Sequence, residues 1–377
     1  MASFSEYFCL KNLNDSFYQC IKNNHWKFST QNYWENLLEN NIKLHEDLIN
    51  DNYIEQPKYC FGINERGKYR LIEAPTIRDR IVQKILSTKV LIPQLYPYLI
   101  YDNYASLKHR GTSQARQRTE LVLRKWIRQY GDEGYIVLMD IHNFFGSIDH
   151  EILKSMLYGK LEVDDQTLRL IDYSIDISGP NGIGLNLGSE CPQIYATFYP
   201  TQLDNWFKIV EGIHSYGRYM DDMKFIVLEK DRAEYLVDGA IDILKSLKLE
   251  MNEKKTQIIK LSHGFTYLQT KYDIDNGHLI TRPTHKKIAR ERKKLVRYKD
   301  LVDTNRVSTY DVYLWYKGWR QSLLTDYNSC WDTVESMDDL FYSLFPKIQI
   351  PEKLTRTELI EKAFKEADYD TLRYGWE

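Results

Sequence analysis

The sequence lacks the features that mark several classes of protein. Its five cysteines are odd in number and widely spaced, and no Cys-x-x-Cys pair occurs. This pattern argues against a disulfide framework or a zinc knuckle and favours a reducing, cytoplasmic location. No apolar run approaches the roughly 18 residues of a membrane span, and the first residues show no signal-peptide pattern. We therefore expect no membrane partner.

The composition is that of an ordinary globular protein, but its basic residues are clustered. The 377 residues are 43% hydrophobic and 28% charged, with a net charge of −2. This length suggests two or three domains or subdomains. From Arg282 to Lys299, nine Lys and Arg residues stand against the single acid Glu291. Such a stretch indicates either a surface that follows a polyanion or a solvated helix face.

Two patterns place carboxylates at strand ends. The apolar run 135–139 ends at Asp140 and predicts a buried strand. Residues 215–228 predict a strand, a tight turn and a second strand, with Asp221 and Asp222 at the turn. Converging carboxylates suit Mg²⁺, and two ions about 3.5–4 Å apart can hold the attacking and leaving oxygens of a phosphoryl transfer. The simpler interpretation of Asp221 and Asp222 is a polar turn pair.

Periodicity and turn residues predict the remaining elements. We expect a hairpin at 59–72, helices at 30–50, 79–91, 192–210, 232–247, 283–302 and 309–324, strands at 257–261 and 265–272, and a peripheral helix in the tail 351–377. Trp315 and Trp319 are four residues apart on a helix, which favours a role in its core.

Seven segments resemble, in order, the motifs of reverse transcriptases. The resemblance spans about residues 35–325, and it depends on all seven motifs together. Tyr219-Met220-Asp221-Asp222 resembles the Tyr-x-Asp-Asp motif, and residues 140–150 resemble the first palm motif. The remaining segments are 184–196, 251–256, 265–268, 70–75 with 78–83, and 101–106 with 109–113.

The resemblance implies an α+β right-hand polymerase, with a palm of antiparallel sheet packed on helices and a helical thumb. It implies five regions: an N-terminal helical segment (1–55), fingers (56–130), a palm with finger insertions (131–275), a thumb (276–350) and a C-terminal tail (351–377).

The resemblance also implies roles for individual residues. Asp140, Asp221 and Asp222 would be catalytic and, with the Ile141 carbonyl, would hold two Mg²⁺ ions, or Mn²⁺ in their place. The implied nucleotide-binding residues are Arg70, Lys68, Ile141, Phe145, Gly188, Gln193 and Lys255, with Phe145 excluding a 2′-hydroxyl and Lys255 near the leaving pyrophosphate. The implied nucleic-acid-binding residues are Arg282, Lys286, Lys287, Arg290 and Lys294.

The expected reaction is DNA synthesis on a noncoding RNA template, with deoxynucleoside triphosphates (dNTPs) as substrates and an RNA/DNA duplex as product. Antiphage defence in bacteria is the favoured role, and an accessory protein or a second copy of the chain is a candidate partner. Leu187 stands where many reverse transcriptases have Gln, and this substitution favours a second hypothesis, an error-prone enzyme of a diversity-generating retroelement. Two further hypotheses are template-independent or protein-primed synthesis and an inactive nucleic-acid-binding scaffold.

Overall fold

The computed structural model describes residues 2–65 and 67–346, which form two compact units. Among these residues, unit 1 comprises the chain up to Leu268 together with Tyr272–Leu279, and unit 2 comprises Gln269–Lys271 and residues 280–346. Helices and antiparallel sheets confirm the predicted α+β class. Within the described residues, no helix is long and apolar enough to cross a membrane. The predicted tail helix lies outside the described residues.

Unit 1 begins with four helices: α1 (Phe4–Tyr7), α2 (Leu10–Ile21), α3 (Phe28–Glu35) and α4 (Leu37–Ile49). The prediction of one helix over 30–50 is wrong, because the chain leaves the helical region at Asn36, with φ −119° and ψ 36°. The Asn40 side chain donates to the carbonyl of Tyr33 at 3.0 Å, which satisfies a backbone acceptor at the end of α3.

The predicted hairpin is confirmed as β1 (Tyr59–Glu65) and β2 (Lys68–Ala74), which pair antiparallel. Thr76 then caps α5 (Ile77–Ile85), directly after Pro75. The helix predicted over 79–91 continues as a π-helical segment instead of an α-helix. The elements that follow are the π segment Leu86–Leu91, α6 (Ile92–Leu95), the 3₁₀ turn Tyr96–Tyr98 and α7 (Thr112–Tyr130).

An antiparallel four-stranded sheet lies at the centre of unit 1. Its strands are β3 (Tyr135–Asp140), β4 (Gly217–Tyr219), β5 (Asp222–Val227) and β6 (Gln257–Lys260), in the order β4-β5-β3-β6. Both faces are covered, which explains the nearly continuous apolar sequence of β3. Val137 and Phe225 belong to one hydrophobic core, and Ile136 and Ile226 belong to a second core with Leu123 of α7.

Six helices of unit 1 lie between these strands in the chain: α8 (Phe144–Ser147), α9 (His150–Tyr158), α10 (Asp165–Asp176), α11 (Glu190–Phe198), α12 (Thr201–Asn205) and α13 (Lys230–Ser246). The prediction of one helix over 192–210 is wrong. Pro200 lies between α11 and α12, where its missing N–H interrupts the helical ladder. A π segment, Trp206–Val210, follows α12.

The strand predicted over 265–272 is divided in two. Leu268 and Gln269 have φ of 45° and 64°, and this left-handed backbone turns the chain between β7 (Phe265–Tyr267) and β8 (Thr270–Asp275). Strand β9 (His278–Pro283) completes a three-stranded sheet in the order β7-β8-β9.

The described part of unit 2, up to residue 346, contains three long helices: α14 (His285–Asp303), α15 (Thr309–Asp326) and α16 (Trp331–Leu344). Their core includes Leu295 and the stacked rings of Tyr316 and Phe341, with centroids 4.2 Å apart. Trp315 and Trp319 are partly buried against this core, as their spacing predicted.

Candidate active site

A two-residue turn joins β4 to β5 and carries Asp221. Tyr219 pairs with Asp222 across the hairpin, so Met220 and Asp221 form the turn itself. Met220 has a φ of 54°, a conformation that costs a residue with a Cβ about 1–2 kcal/mol. The surrounding contacts must therefore hold the turn in place.

The sheet brings Asp221 beside Asp140. Asp140 lies opposite Asp222 in the register of β3 and β5, and the N–H of Ile141 donates to the carbonyl of Asp221 at 3.2 Å. Burial and the negative charge of Asp140 raise the pKa of Asp221, although Lys255 and Arg70 act in the opposite direction. The two carboxylates therefore lie within electrostatic reach of each other and favour a cation between them.

The loop before β6 supplies two donors to Asp140, which is only 4% exposed. The Asn252 side chain donates to Asp140 Oδ1 at 2.8 Å, and Lys255 Nζ donates to Oδ2 at 2.5 Å. Burial lowers the pKa of Lys255, but the hydrogen bond and charge of Asp140 outweigh it and leave that pKa raised. The sequence motif pointed to Lys255, but Asn252, three positions earlier in the same motif, was missed.

A buried ion pair stabilises the turn between β4 and β5. Arg218 and Asp204 are both fully buried, and the guanidinium donates to both carboxylate oxygens at 2.8 Å and 2.6 Å. Arg218 also donates to the carbonyls of Met220 at 3.1 Å and Thr197 at 2.9 Å. The ion pair thus links the turn to the carboxyl end of α11. No local sequence pattern indicates this pair, although Arg218 immediately precedes the tyrosine of the turn motif.

The β1–β2 hairpin places a predicted nucleotide-binding arginine near the carboxylates. Arg70 lies opposite Ile63 in the hairpin, and its charge lowers the pKa of Asp221. Lys68 is the first residue of β2. The hairpin therefore directs positive charge from Arg70 towards the carboxylate edge of the sheet.

The other predicted nucleotide-binding residues occupy different environments. Phe145 is half-buried beside Phe144, with ring centroids 5.6 Å apart, and its carbonyl accepts from Leu185 at 2.7 Å. Gln193 is exposed on α11, whereas Ile141 is buried. The Phe145–Leu185 hydrogen bond joins the first palm motif to the segment 184–196.

Gly188 is required by packing against the hairpin. It has a φ of 116°, and a Cβ there would lie 2.8 Å from the carbonyl oxygen of Glu73 and 2.9 Å from Ile72 Cγ2. The neighbouring Leu187 carbonyl accepts from the N–H of Glu73 at 2.8 Å. The close approach that the structure shows at Gly188 is thus to β2, while an approach to a nucleotide stays a prediction.

The predicted nucleic-acid-binding residues lie in unit 2. Arg282, Lys286 and Arg290 are exposed. Lys287 and Lys294 are half-buried. Lys287 donates to the Tyr327 hydroxyl at 3.0 Å, and Lys294 lies 4.3 Å from the centre of the Trp315 ring. The first three side chains are therefore the more accessible ones.

The acidic site has the donor chemistry of a magnesium site. Within residues 2–65 and 67–346, no three His, Cys, Asp or Glu side chains are grouped as a metal site. Mg²⁺, however, is often held by only one or two carboxylates, with water and substrate phosphates as its other ligands. Asp140 and Asp221 fit this donor set, although Lys255 already forms an ion pair with one oxygen of Asp140.

Comparison with known families decides the assignment. A model of the reverse transcriptase (RNA-dependent DNA polymerase) family matches residues 56–272, more than half of the chain. The chain belongs to the reverse transcriptase family. This family consists of nucleotidyltransferases, and the matched segment includes Asp140, Asp221 and Lys255. No curated protein matches the sequence.

Solved structures that match this chain include telomerases of two Candida species. Apo telomerase of Candida tropicalis, truncated from its C-terminal domain, has a TM-score of 0.45 and 12% identity over 64% of this chain and 59% of the other. Telomerase of Candida albicans, in complex with a fragment of telomeric RNA, has a TM-score of 0.49 and 10% identity over 85% and 59%. This chain of the reverse transcriptase family thus spans 59% of the length of each.

Proposed function

We propose that the protein is an RNA-directed DNA polymerase that copies a noncoding RNA template with dNTPs. The observation that carries this proposal is the juxtaposition of Asp140 and Asp221, which is held by the 3.2 Å hydrogen bond from the N–H of Ile141 to the carbonyl of Asp221. Membership of the reverse transcriptase family supports it. An RNA/DNA duplex is the proposed product.

The proposed regions follow the sequence analysis. Residues 56–130 act as fingers, 131–275 as palm and 276–350 as thumb, after an N-terminal helical segment of residues 1–55. The β1–β2 hairpin with Arg70 supports the first assignment, and the acidic edge of the four-stranded sheet supports the second. The basic helix α14 supports the third, because exposed Lys and Arg side chains neutralise phosphates.

The proposed metal ligands are Asp140, Asp221 and the Ile141 carbonyl, with Asp222 in support. These residues would hold two Mg²⁺ ions, or Mn²⁺ in their place, which would supply Lewis-acid chemistry for the primer 3′-hydroxyl and the leaving pyrophosphate. The protein's own groups position the reactants. Arg70 binds the triphosphate with its planar guanidinium, and Lys255 balances charge near the pyrophosphate.

The proposed nucleotide pocket is formed by Phe145, Gly188 and Gln193, with Lys68 beside Arg70. The Phe145 ring lies under the sugar and leaves no room for a 2′-hydroxyl, which selects deoxynucleotides. The half-buried position of Phe145 supports this role, because the residue is not fully enclosed by the core.

Primer extension with purified protein tests the proposed activity. Wild-type protein should extend a DNA primer on an RNA template with dNTPs and Mg²⁺, whereas Asp221→Asn should lose this activity. Asp238→Asn, which changes an exposed carboxylate on α13, is the matched control and should retain it. Equal extension by wild type and Asp221→Asn would remove the proposal. Absence of extension by wild type on any template would favour a nucleic-acid-binding scaffold.

We propose that the enzyme acts in bacterial antiphage defence in the cytoplasm, with an accessory protein or a second copy of the chain as candidate partner. Sequencing of the nucleic acid that copurifies with the protein tests this role together with a phage challenge. A dedicated noncoding RNA and protection that depends on Asp221 are expected. A template matched to a variable repeat of a target gene would instead assign the enzyme to a diversity-generating retroelement, and DNA attached to protein after phenol extraction would indicate protein priming.

A further inference from the structure

The Lys255 ammonium lies where it opposes the arrival of a second cation at Asp140. Lys255 Nζ is 2.5 Å from Asp140 Oδ2, and Asn252 Nδ2 is 2.8 Å from Oδ1. Both carboxylate oxygens thus already accept a hydrogen bond. A carboxylate retains further lone pairs, so the main obstacle to a metal ion is the charge of the ammonium and not a lack of acceptors.

The two contacts of Asp140 differ in how easily they can be released. Asn252 is fixed by its backbone, because its N–H donates to the Asp140 carbonyl at 2.8 Å, and its own carbonyl accepts from Lys255 and Thr256. The Lys255 side chain is 48% exposed, whereas that of Asp140 is 5% exposed. The lysine stem is flexible and extends into solvent. The Asn252 contact can therefore persist while the Lys255 contact is lost.

A metal ion and the Lys255 ammonium would repel each other if both were in contact with Asp140. In a partly buried site, a divalent cation on Asp140 would repel the ammonium on the same carboxylate strongly, since two unit charges about 4 Å apart already interact appreciably there. Asp222 and Asp221 also attract Lys255, so the ammonium offsets part of the negative charge of the acidic edge. Lys255 and a divalent cation would therefore compete for the same three carboxylates.

We infer that Lys255 occupies Asp140 in place of a metal ion and leaves it when a divalent cation binds. Metal binding would thereby release an ammonium for the leaving pyrophosphate only when the metal site is filled. This inference rests on the proposed function, because it uses the same carboxylates, but it concerns an equilibrium that can be measured without substrate.

Mn²⁺ binding to the full chain tests the inference, with free Mn²⁺ measured by electron paramagnetic resonance. Lys255→Gln and Lys255→Met should each bind Mn²⁺ about tenfold more tightly than wild type, since a competing charge-assisted hydrogen bond is removed. Lys254→Gln is the matched control, because it removes the same charge from the exposed neighbouring position. It should change the affinity much less. Asp140→Asn gives the background from other sites.

Equal affinities of wild type and both Lys255 variants would overturn the inference, as would an equal gain in Lys254→Gln. A measurement on wild type covers the case in which the variants do not fold. Acetylation of Lys255, measured by mass spectrometry of peptides, should increase several-fold when Mn²⁺ is added, while acetylation of Lys254 stays constant. Unchanged acetylation of Lys255 would also overturn it. A negative result in the Mn²⁺ binding or the acetylation experiment would not affect primer extension that depends on Asp221. The proposed function is therefore tested separately.

Discussion

Removal of one partner of the buried Arg218–Asp204 pair should be severely destabilising. Both side chains are fully buried, and the guanidinium spans the carboxylate with bonds of 2.8 Å and 2.6 Å. Asp204→Leu leaves the Arg218 charge in the protein interior without its carboxylate, with the carbonyls of Met220 and Thr197 and the Tyr216 side chain as its remaining partners. Arg218→Met leaves the Asp204 carboxylate with the Tyr216 hydroxyl, 2.7 Å away.

The expected loss for each single variant is about 3–5 kcal/mol of unfolding free energy, the usual cost of leaving a buried charge without its partner. The double variant, Asp204→Leu with Arg218→Met, should lose much less than the sum, because neither charge remains and two apolar side chains fill similar volume. Primer extension should still fall in the double variant, because the Met220 carbonyl has lost its donor and the turn carrying Asp221 is less constrained.

Urea unfolding of the four proteins measures this coupling. Glu39→Gln, which breaks the exposed pair with Lys43 on α4, is the control and should leave the unfolding midpoint unchanged. Strictly additive losses from the two single variants would refute the argument that the ion pair acts as one unit. Retention of full extension activity by the double variant would refute its role in holding the turn.

Three further predictions concern Gly188, Lys224 and Phe145. Gly188→Ala should lower the free energy of unfolding by more than about 1 kcal/mol. Gly277, which has a φ of 75° and open space around it, is the control, and Gly277→Ala should lower the free energy of unfolding by less in the same assay. Equal losses would contradict the conclusion that β2 leaves no room for a Cβ at Gly188. Burial lowers the pKa of Lys224 from 10.5 to about 7, so the unfolded chain binds a proton between these values that the folded chain does not. Wild-type stability should therefore fall, relative to Lys224→Met, by up to about 1.4 kcal/mol for each pH unit from 10.5 down towards 7, and parallel pH profiles would contradict this. Phe145→Val should increase ribonucleotide incorporation at least about tenfold if the ring excludes the 2′-hydroxyl, and an unchanged preference for deoxynucleotides would argue that the ring only packs against Phe144.

Local pattern predicted most of the elements that position the site. The apolar run before Asp140 and the hairpin turn after Tyr219 are properties of a few adjacent residues. The strand appears as predicted, but the turn consists of Met220 and Asp221 alone, because Asp222 is already the first residue of β5. The hairpin at β1–β2 also followed from residues close together in the chain. These elements were accessible from sequence because strand alternation and turn residues act over short distances.

Contacts between distant segments were not accessible in this way. In the sequence, Arg218 and Asp204 are each an ordinary charged residue with no sign of a partner. Only the packing of α12 against β4 brings them together. The donation from Asn252 to Asp140 joins residues 112 positions apart. Helix interruptions such as the one at Asn36 were also missed, because an apolar spacing of 3.6 residues continues across a single non-helical residue.

The most direct test of the central claim is the location of the metal ion. Fe²⁺ substituted for Mg²⁺, with ascorbate and peroxide, generates radicals that cut the backbone close to the bound ion, and the fragments can be sized by mass spectrometry. We predict cuts near Asp140 and near Asp221 that Mg²⁺ competes away and that Asp140→Asn abolishes. Cuts confined to other segments, or unchanged cutting in Asp140→Asn, would contradict a metal site shared by these two carboxylates.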